Sequence, residues 1–141
     1  MRKFVTAILL VGIVATMWIF LNREEPVSLG ELMEDEQVTE IFIEDESTEK
    51  IVQITDEKLT DKIVEESSPM ILKKTEDPPE NIHYSLIFNQ KDYKQTSILL
   101  GRKKLDIWHS DEGKNGGFFE IKGDNILLEW IKNETLDWSS P

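Results

Sequence analysis

The chain has 141 residues, no cysteine, and 28 acidic against 16 basic residues, which gives a formal charge of −12 with histidine neutral. A sequence without cysteine excludes disulfides, thiolate zinc sites, catalytic cysteines and lipid attachment to cysteine. The acidic charge disfavours nucleic acid and anionic surfaces, and it is compatible with a basic protein partner or a divalent cation. The length suffices for one ordinary globular domain.

The first segment, Phe4 to Leu21, is a run of eighteen residues without a charge. As a helix it would extend ~27 Å, close to the ~30 Å hydrocarbon core of a bilayer, and it therefore predicts a transmembrane anchor. Arg2 and Lys3 precede the run, so residues 1–3 are expected in the cytoplasm and the rest outside it. This predicts a single-pass protein of the cell membrane with an extracytoplasmic C-terminal domain.

A cleaved secretory signal peptide is the alternative interpretation of the same segment. Cleavage needs two small residues at positions −3 and −1, and the stretch from Trp18 to Glu24 has no such pair. Ala15 is small but lies inside the apolar run. This favours an uncleaved anchor, and either interpretation puts the remaining chain outside the cytoplasm.

Residues 22–37 are predicted to form an acidic tether, because Glu24 to Gln37 has one proline, one glycine and little apolar content. Within this tether, a short helical turn is expected around Leu29 to Met33. All 28 acidic residues and 14 of the 16 basic ones follow the apolar run, which leaves this part of the chain at −14.

The globular domain is predicted to begin at Val38. Val38 to Ile43 is β-branched and aromatic, and Lys50 to Ile54 is similar, so the two segments predict a hairpin. Asp56 is a good N-cap for a helix, which must end by Ser68 because Pro69 follows.

The second half of the domain alternates between apolar and polar residues. After a short apolar stretch at Met70 to Lys73, the alternation predicts four strands joined by turns. A glycine-rich loop, Ser110 to Gly117, precedes the last strand, and Asp124 is predicted to cap a closing helix. The four strands are Ile82 to Asn89, Tyr93 to Leu100, Lys104 to His109 and Phe118 to Lys122.

These elements predict an α+β fold in the order β-β-α-β-β-β-β-α, after the transmembrane helix. Short turns between successive strands favour a mainly antiparallel sheet, which two amphipathic helices would cover. The predicted domain occupies residues 38–134, and residues 135–141 form a tail.

The stretch from Val38 to about Lys132 resembles the YhfM-like domains, small extracytoplasmic domains of lipoproteins and anchored proteins of Gram-positive bacteria. The resemblance is carried by a strand and helix start at Ile51 to Asp56, by Tyr84 to Phe88 at the start of a meander, and by Phe118 to Ile121 before the closing helix Asn125 to Lys132. It implies the fold and the location outside the cytoplasm. It implies no chemistry, and this chain lacks the cysteine of the lipoprotein members.

No familiar catalytic or cofactor motif occurs in the sequence, so no catalytic or cofactor-binding residue is predicted, and the chain is not expected to be an enzyme. His83 and His109 lie in predicted strands and could together bind a metal, but two ordinary histidines are favoured. The loop from Asp111 resembles the start of a calcium loop. Gly113 at its third position and Lys122 at its twelfth exclude an EF-hand, so no metal ligand is predicted.

Two residues are predicted to contact a partner, Trp108 and Asn115. Trp108 alternates with Leu105 and Ile107, so it is expected on the solvent side of its strand. An exposed tryptophan can anchor a protein or saccharide, although a helix could also cover it. Asn115 belongs to the glycine-rich loop.

The leading hypothesis is a non-enzymatic binding or accessory module at the cell surface, whose partner is a protein or an envelope component. An enzyme or enzyme inhibitor that acts on the cell envelope is the second hypothesis. The third is a membrane subunit that acts through its apolar helix, where Gly12, Ala15 and Thr16 offer small residues for packing. No cofactor and no nucleic acid partner are predicted.

Overall fold

The computed structural model describes residues 2–22, 25–33, 37–111 and 115–139, without the side chains of residues 2 and 19–22. Parts of four predicted segments lie outside the described residues. These parts are position 1 of the cytoplasmic tip, positions 23, 24 and 34–36 of the tether, positions 112–114 of the glycine-rich loop, and positions 140–141 of the tail.

The chain is α+β, with eight strands in one antiparallel sheet and four α-helices among the described residues. The helices are α1 Arg2–Asn22, α2 Leu29–Met33, α3 Glu57–Ser67 and α4 Ile126–Asn133. The strands are β1 Val27–Ser28, β2 Val38–Asp45, β3 Ile51–Ile54, β4 Ile71–Lys74, β5 Tyr84–Gln90, β6 Gln95–Leu100, β7 Lys104–His109 and β8 Gly117–Lys122. They lie side by side in the order β1-β4-β8-β7-β6-β5-β2-β3.

The predicted transmembrane anchor, Phe4 to Leu21, is wrong by this structure. In the part of the chain that is described, no helix combines the length and the apolar character that crossing a bilayer requires.

The start of the domain also differs from the prediction. Within the predicted tether, β1 pairs with β4, where Val27 lies opposite Leu72. The helix α2 follows at the residues of the predicted helical turn, but its Leu29, Leu32 and Met33 are buried in the core. The apolar residues of this short segment therefore belong to the folded domain, because burying them outweighs the disorder that the surrounding acidic residues favour.

The N-terminal ends of α3 and α4 are each capped by a side chain. Asp56 accepts a hydrogen bond from the backbone N–H of Lys58 at 2.9 Å and caps α3, as predicted. For α4 the cap is Asn125 and not Asp124, because the Asn125 side chain accepts from the N–H of Leu128 at 3.2 Å. The prediction was one residue too early.

The core lies between one face of the sheet and the layer formed by α2, α3 and α4. Alternate residues of the central strands point into it, and side chains such as Ile41, Phe88 and Ile98 are almost fully buried. The segment after α4 also packs on this core, where the Trp138 ring stacks on Tyr84 with centroids 6.2 Å apart. The other face of the sheet, called the outer face below, carries the remaining alternate residues.

Candidate functional site

Three large apolar side chains are exposed together on the outer face. Trp108 on β7 is 59% exposed, Leu99 on β6 is 39% exposed and Ile87 on β5 is 37% exposed. They surround Ser97, which pairs with Ile87 on one side and with Trp108 on the other. Leu99 is two residues along β6 from Ser97, which makes it the diagonal neighbour of both. Ile87, Leu99 and Trp108 are called the Trp108 patch below.

Half-buried aromatic residues extend the Trp108 patch sideways. Phe42 on β2 lies opposite Ile87, and Phe118 on β8 lies opposite Asp106. Apolar residues of the outer face therefore form a band that crosses β2, β5, β6, β7 and β8, with Ser97 and Asp106 among them. Asp106 lies inside this band, between Leu99 and Phe118, and burial raises the pKa of its carboxyl above 3.8.

The charge around the patch differs between its two sides. On β2, Glu40 and Glu44 lie on the outer face, in register with Asn89 and Ser85 of the neighbouring strand. On β8, Glu120 lies between Lys73 and Lys104, so the two lysines outnumber the one carboxylate. The β2 side of the Trp108 patch is therefore acidic, and the β8 side is weakly basic.

The second predicted contact, Asn115, lies at the end of β7 but is held from the inner face. The Nε2 atom of His109 lies 3.0 Å from the carbonyl oxygen of Asn115, and its Nδ1 atom lies 2.9 Å from the hydroxyl of Thr96. Gly116 follows so close to β7 that a Cβ atom would lie 2.7 Å from the carbonyl oxygen of Ile107. Trp108 and the exposed Asn115 thus lie at the same end of β7, and their contact with a partner stays a prediction.

The two histidines do not meet. The backbone N–H of His83 bonds to the carbonyl of Leu100 at one end of β6, whereas His109 pairs with Thr96 at the other end. Within the described residues, no group of three or more histidine and carboxylate side chains could hold a metal ion.

A second feature, which the sequence did not reveal, is a cavity of about 490 Å³ at the end of the sheet where β6 turns into β7. Its walls come from that turn and from the loop before β5. Most of its lining side chains are cationic or polar, which is unusual for a chain with a net charge of −12. They are Glu80, Asn81, His83, Arg102, Lys103 and Lys104. Arg102 to Lys104 is the only run of three basic residues in the sequence. That run is the feature from which the cavity's positive charge could have been predicted.

Comparisons with known proteins identify no relative of this chain. No family model, no curated protein and no solved structure matches the chain. The resemblance to YhfM-like domains therefore stays a prediction. Among the described residues, two surfaces are candidates for binding: the Trp108 patch on the outer face and the cationic cavity at the β6–β7 turn.

Proposed function

We propose that the chain is a non-enzymatic binding module that uses the Trp108 patch to hold a protein partner at the cell surface. The observation that carries this proposal is the exposed cluster of Ile87, Leu99 and Trp108 on the outer face of the sheet. Exposed apolar clusters centred on an aromatic residue are typical of the centres of protein interfaces, and tryptophan is enriched among residues that dominate binding energy.

Both edges of the sheet are less suited to a partner than the outer face. The edge strand β1 has only two residues, which is too short for a peptide to extend the sheet. At the other edge, Ile51 of β3 exchanges two backbone hydrogen bonds with Ser139, each 2.9 Å long. Face-on docking is therefore favoured over strand addition.

The negative charge of the chain favours a positively charged partner. The formal charge is −12, and Glu40 and Glu44 border the Trp108 patch on the β2 side. A partner with an apolar centre and basic residues on one side complements this surface and associates faster by electrostatic steering. We infer a basic protein partner for this reason.

A location outside the cytoplasm is part of the same proposal. Arg2 and Lys3 begin α1, and most of the side chains that follow, from Phe4 to Trp18, are apolar and exposed. A basic segment followed by an apolar one is typical of export signals. Protease added to intact cells should degrade the domain if this is right, and protection of the domain in intact but not in lysed cells would contradict it.

Site-specific photo-crosslinking in cells tests the binding face. A photoreactive residue placed at Trp108 or Leu99 should give the same protein adduct, because both positions lie in the patch. Lys58 on α3 and Glu129 on α4 are matched exposed positions in the helical layer, and the adduct should be absent there. Position 115 tests the second predicted contact.

Binding between the purified proteins then decides whether the adduct reflects the proposed interface. Trp108→Ser should weaken binding by about 30-fold or more, the effect of losing an aromatic residue at the centre of an interface. Glu40→Gln with Glu44→Gln should slow association and reduce its dependence on salt. An adduct with a second copy of this chain, or an acidic partner that is insensitive to Trp108→Ser, would contradict the proposal.

A further inference from the structure

We propose that the cavity at the β6–β7 turn binds a phosphate ester whose remaining part carries hydroxyl groups. The cavity, called the turn cavity below, is lined by six residues: Glu80, Asn81, His83, Arg102, Lys103 and Lys104. This site is separate from the Trp108 patch. Its ligand is also of a different class from the protein partner proposed for that patch.

Backbone hydrogen bonds and close packing hold the chain segments that surround the turn cavity. The N–H of Gly101 donates to the carbonyl of Lys104 at 2.9 Å and closes the turn. A Cβ atom on Gly101 would lie 2.8 Å from the carbonyl oxygen of Lys104 and 3.3 Å from that of Glu80, so a glycine is needed there. On the opposite wall, the N–H of His83 donates to the carbonyl of Leu100 at 2.8 Å. The two walls are therefore held at a fixed separation.

The carbonyl oxygens of the turn, which would repel an anion, accept hydrogen bonds elsewhere in the domain. The Nδ2 atom of Asn125 donates to the carbonyls of Gly101 and Arg102 at 3.0 and 2.9 Å. The carbonyl of Lys103 accepts from the N–H of Ile121 at 2.7 Å. The cap of α4 thus fixes the turn from behind, while the Arg102 and Lys103 residues stay exposed.

The charges favour a doubly charged anion. Arg102, Lys103 and Lys104 contribute three positive charges, and Glu80 is the single carboxylate among the lining residues. Lys104 has two acidic neighbours: Glu120 lies opposite it on β8, and Asp77 is an ion partner at 3.8 Å whose side chain is 77% exposed. Exposed contacts of this kind are weak in water, so Lys104 can exchange them for a bound anion.

Phosphate is the anion that this set of donors fits best. An arginine fork binds two phosphate oxygens at once, and lysine adds a compact charge. The net charge of the chain does not prevent this, because at physiological salt charges beyond ~8 Å are largely screened. A volume of about 490 Å³ accommodates a small ligand or a lipid headgroup.

The wall opposite the basic turn, formed by Glu80 and Asn81, favours a ligand that carries hydroxyl groups. The carboxylate of Glu80 accepts hydrogen bonds, and the side-chain amide of Asn81 both donates and accepts. A bare phosphate ion would meet only repulsion from Glu80. A phosphate ester with hydroxyl groups can place its phosphate on the basic turn and donate a hydroxyl proton to Glu80.

Calorimetric titration of the full chain with glycerol 3-phosphate at physiological ionic strength tests the proposal. The variant R102Q/K103Q/K104Q should bind at least tenfold more weakly than the unaltered chain. A matched variant, K50Q/K58Q/K91Q, removes the same charge from exposed positions elsewhere and should change binding by less than twofold. Equal weakening in both variants, or no saturable binding by the unaltered chain, would overturn the proposal. The single variant Arg102→Gln gives the same test if the triple variant does not fold.

A second variant tests the hydroxyl contact. Glu80→Gln should weaken the binding of glycerol 3-phosphate and should not weaken the binding of inorganic phosphate. If Glu80→Gln strengthens both equally, Glu80 contributes only repulsion and the inferred hydroxyl contact is wrong.

Vesicles distinguish a free ester from a lipid headgroup. Co-sedimentation with phosphatidylglycerol vesicles that is lost in R102Q/K103Q/K104Q and kept in the matched variant would identify the headgroup as the source. Binding of glycerol 3-phosphate without such a loss would identify a free ester. Either result leaves the Trp108 patch untouched, so this proposal and the proposed function can fail independently.

Discussion

His109 joins the end of β7 to the loop that follows it, because its Nε2 atom lies 3.0 Å from the carbonyl oxygen of Asn115. A carbonyl only accepts hydrogen bonds, so Nε2 carries a proton and donates it. The other ring nitrogen, Nδ1, lies 2.9 Å from the hydroxyl of Thr96, whose residue is fully buried. A single side chain thus satisfies a buried hydroxyl and fixes the loop beside Trp108.

Replacing His109 by alanine should lower the free energy of unfolding by about 2–3 kcal/mol, because it leaves the Thr96 hydroxyl buried without this partner and opens a small cavity. Amide hydrogen exchange at Gly116 and Gly117 should accelerate as the loop is released. His83→Ala is the matched control, since His83 is exposed, and it should change stability by no more than about 0.5 kcal/mol. Equal effects of the two substitutions would show that His109 does not hold the loop.

Truncation of two neighbouring residues of β7 should change the free energy of unfolding by very different amounts. Ile107 is 1% exposed, and Ile107→Ala should cost about 2–5 kcal/mol of unfolding free energy by leaving a cavity in the core. Trp108 is 59% exposed, and Trp108→Ser should change it by less than about 1 kcal/mol. Chemical denaturation of both variants measures the difference. A large loss for Trp108→Ser would mean that Trp108 is a structural residue, and it would weaken the proposed interface.

Gln90 is expected to be a stabilisation site. Its residue is 5% exposed, and among the described residues neither Oε1 nor Nε2 of its side chain has a hydrogen-bond partner. Gln90→Met keeps the length of the side chain and removes the buried amide, so the free energy of unfolding should rise by about 1–2 kcal/mol. The exposed Gln95→Met is the control and should be close to neutral. A lower urea midpoint for Gln90→Met would show that the amide is hydrogen-bonded in solution.

The strands of the domain were predictable because one face of the sheet is buried and the other is not. Under that condition the sequence must alternate, and the alternation put Trp108 on the side opposite Ile107, as observed. The helix α3 was predictable for a similar local reason, since Asp56 and Pro69 mark its two ends. The Asn125 cap was missed because Asp124 beside it is an equally good cap by type, and only the backbone path decides between them.

The turn cavity and the start of the domain could not be predicted, because each depends on contacts between distant parts of the chain. Glu80 and Arg102 line one cavity only because β5 pairs with β6 and brings the two loops together. Leu29 is buried only because β1 pairs with β4. An apolar run such as Phe4 to Leu21 has no long-range pattern to test it, and the structure contradicts its predicted role as a membrane span.

Two carboxyl groups should give opposite pH dependences of stability. Burial raises the pKa of Asp106 above 3.8, so between the unfolded and folded pKa values the folded state binds more protons. Stability from this group is therefore full below the unfolded pKa and is lost as pH rises through the folded pKa. Burial also acts to raise the pKa of Asp45, but hydrogen bonds from Ser47 and Thr48 outweigh it and lower the pKa below 3.8. The stability from Asp45 is present above 3.8 and is lost as pH falls.

Urea denaturation between about pH 3 and pH 7 should separate the two groups. Asp106→Asn should be more stable than the unaltered chain at neutral pH, because the amide resembles the protonated acid, and the gain should vanish toward acid pH. Asp45→Asn should be less stable at neutral pH, and its loss should shrink toward acid pH. If Asp106→Asn follows the unaltered chain at every pH, the carboxyl is as well solvated in the folded state as in the unfolded one. The apolar band around Asp106 would then be more open to water than the packing of Leu99 and Phe118 implies.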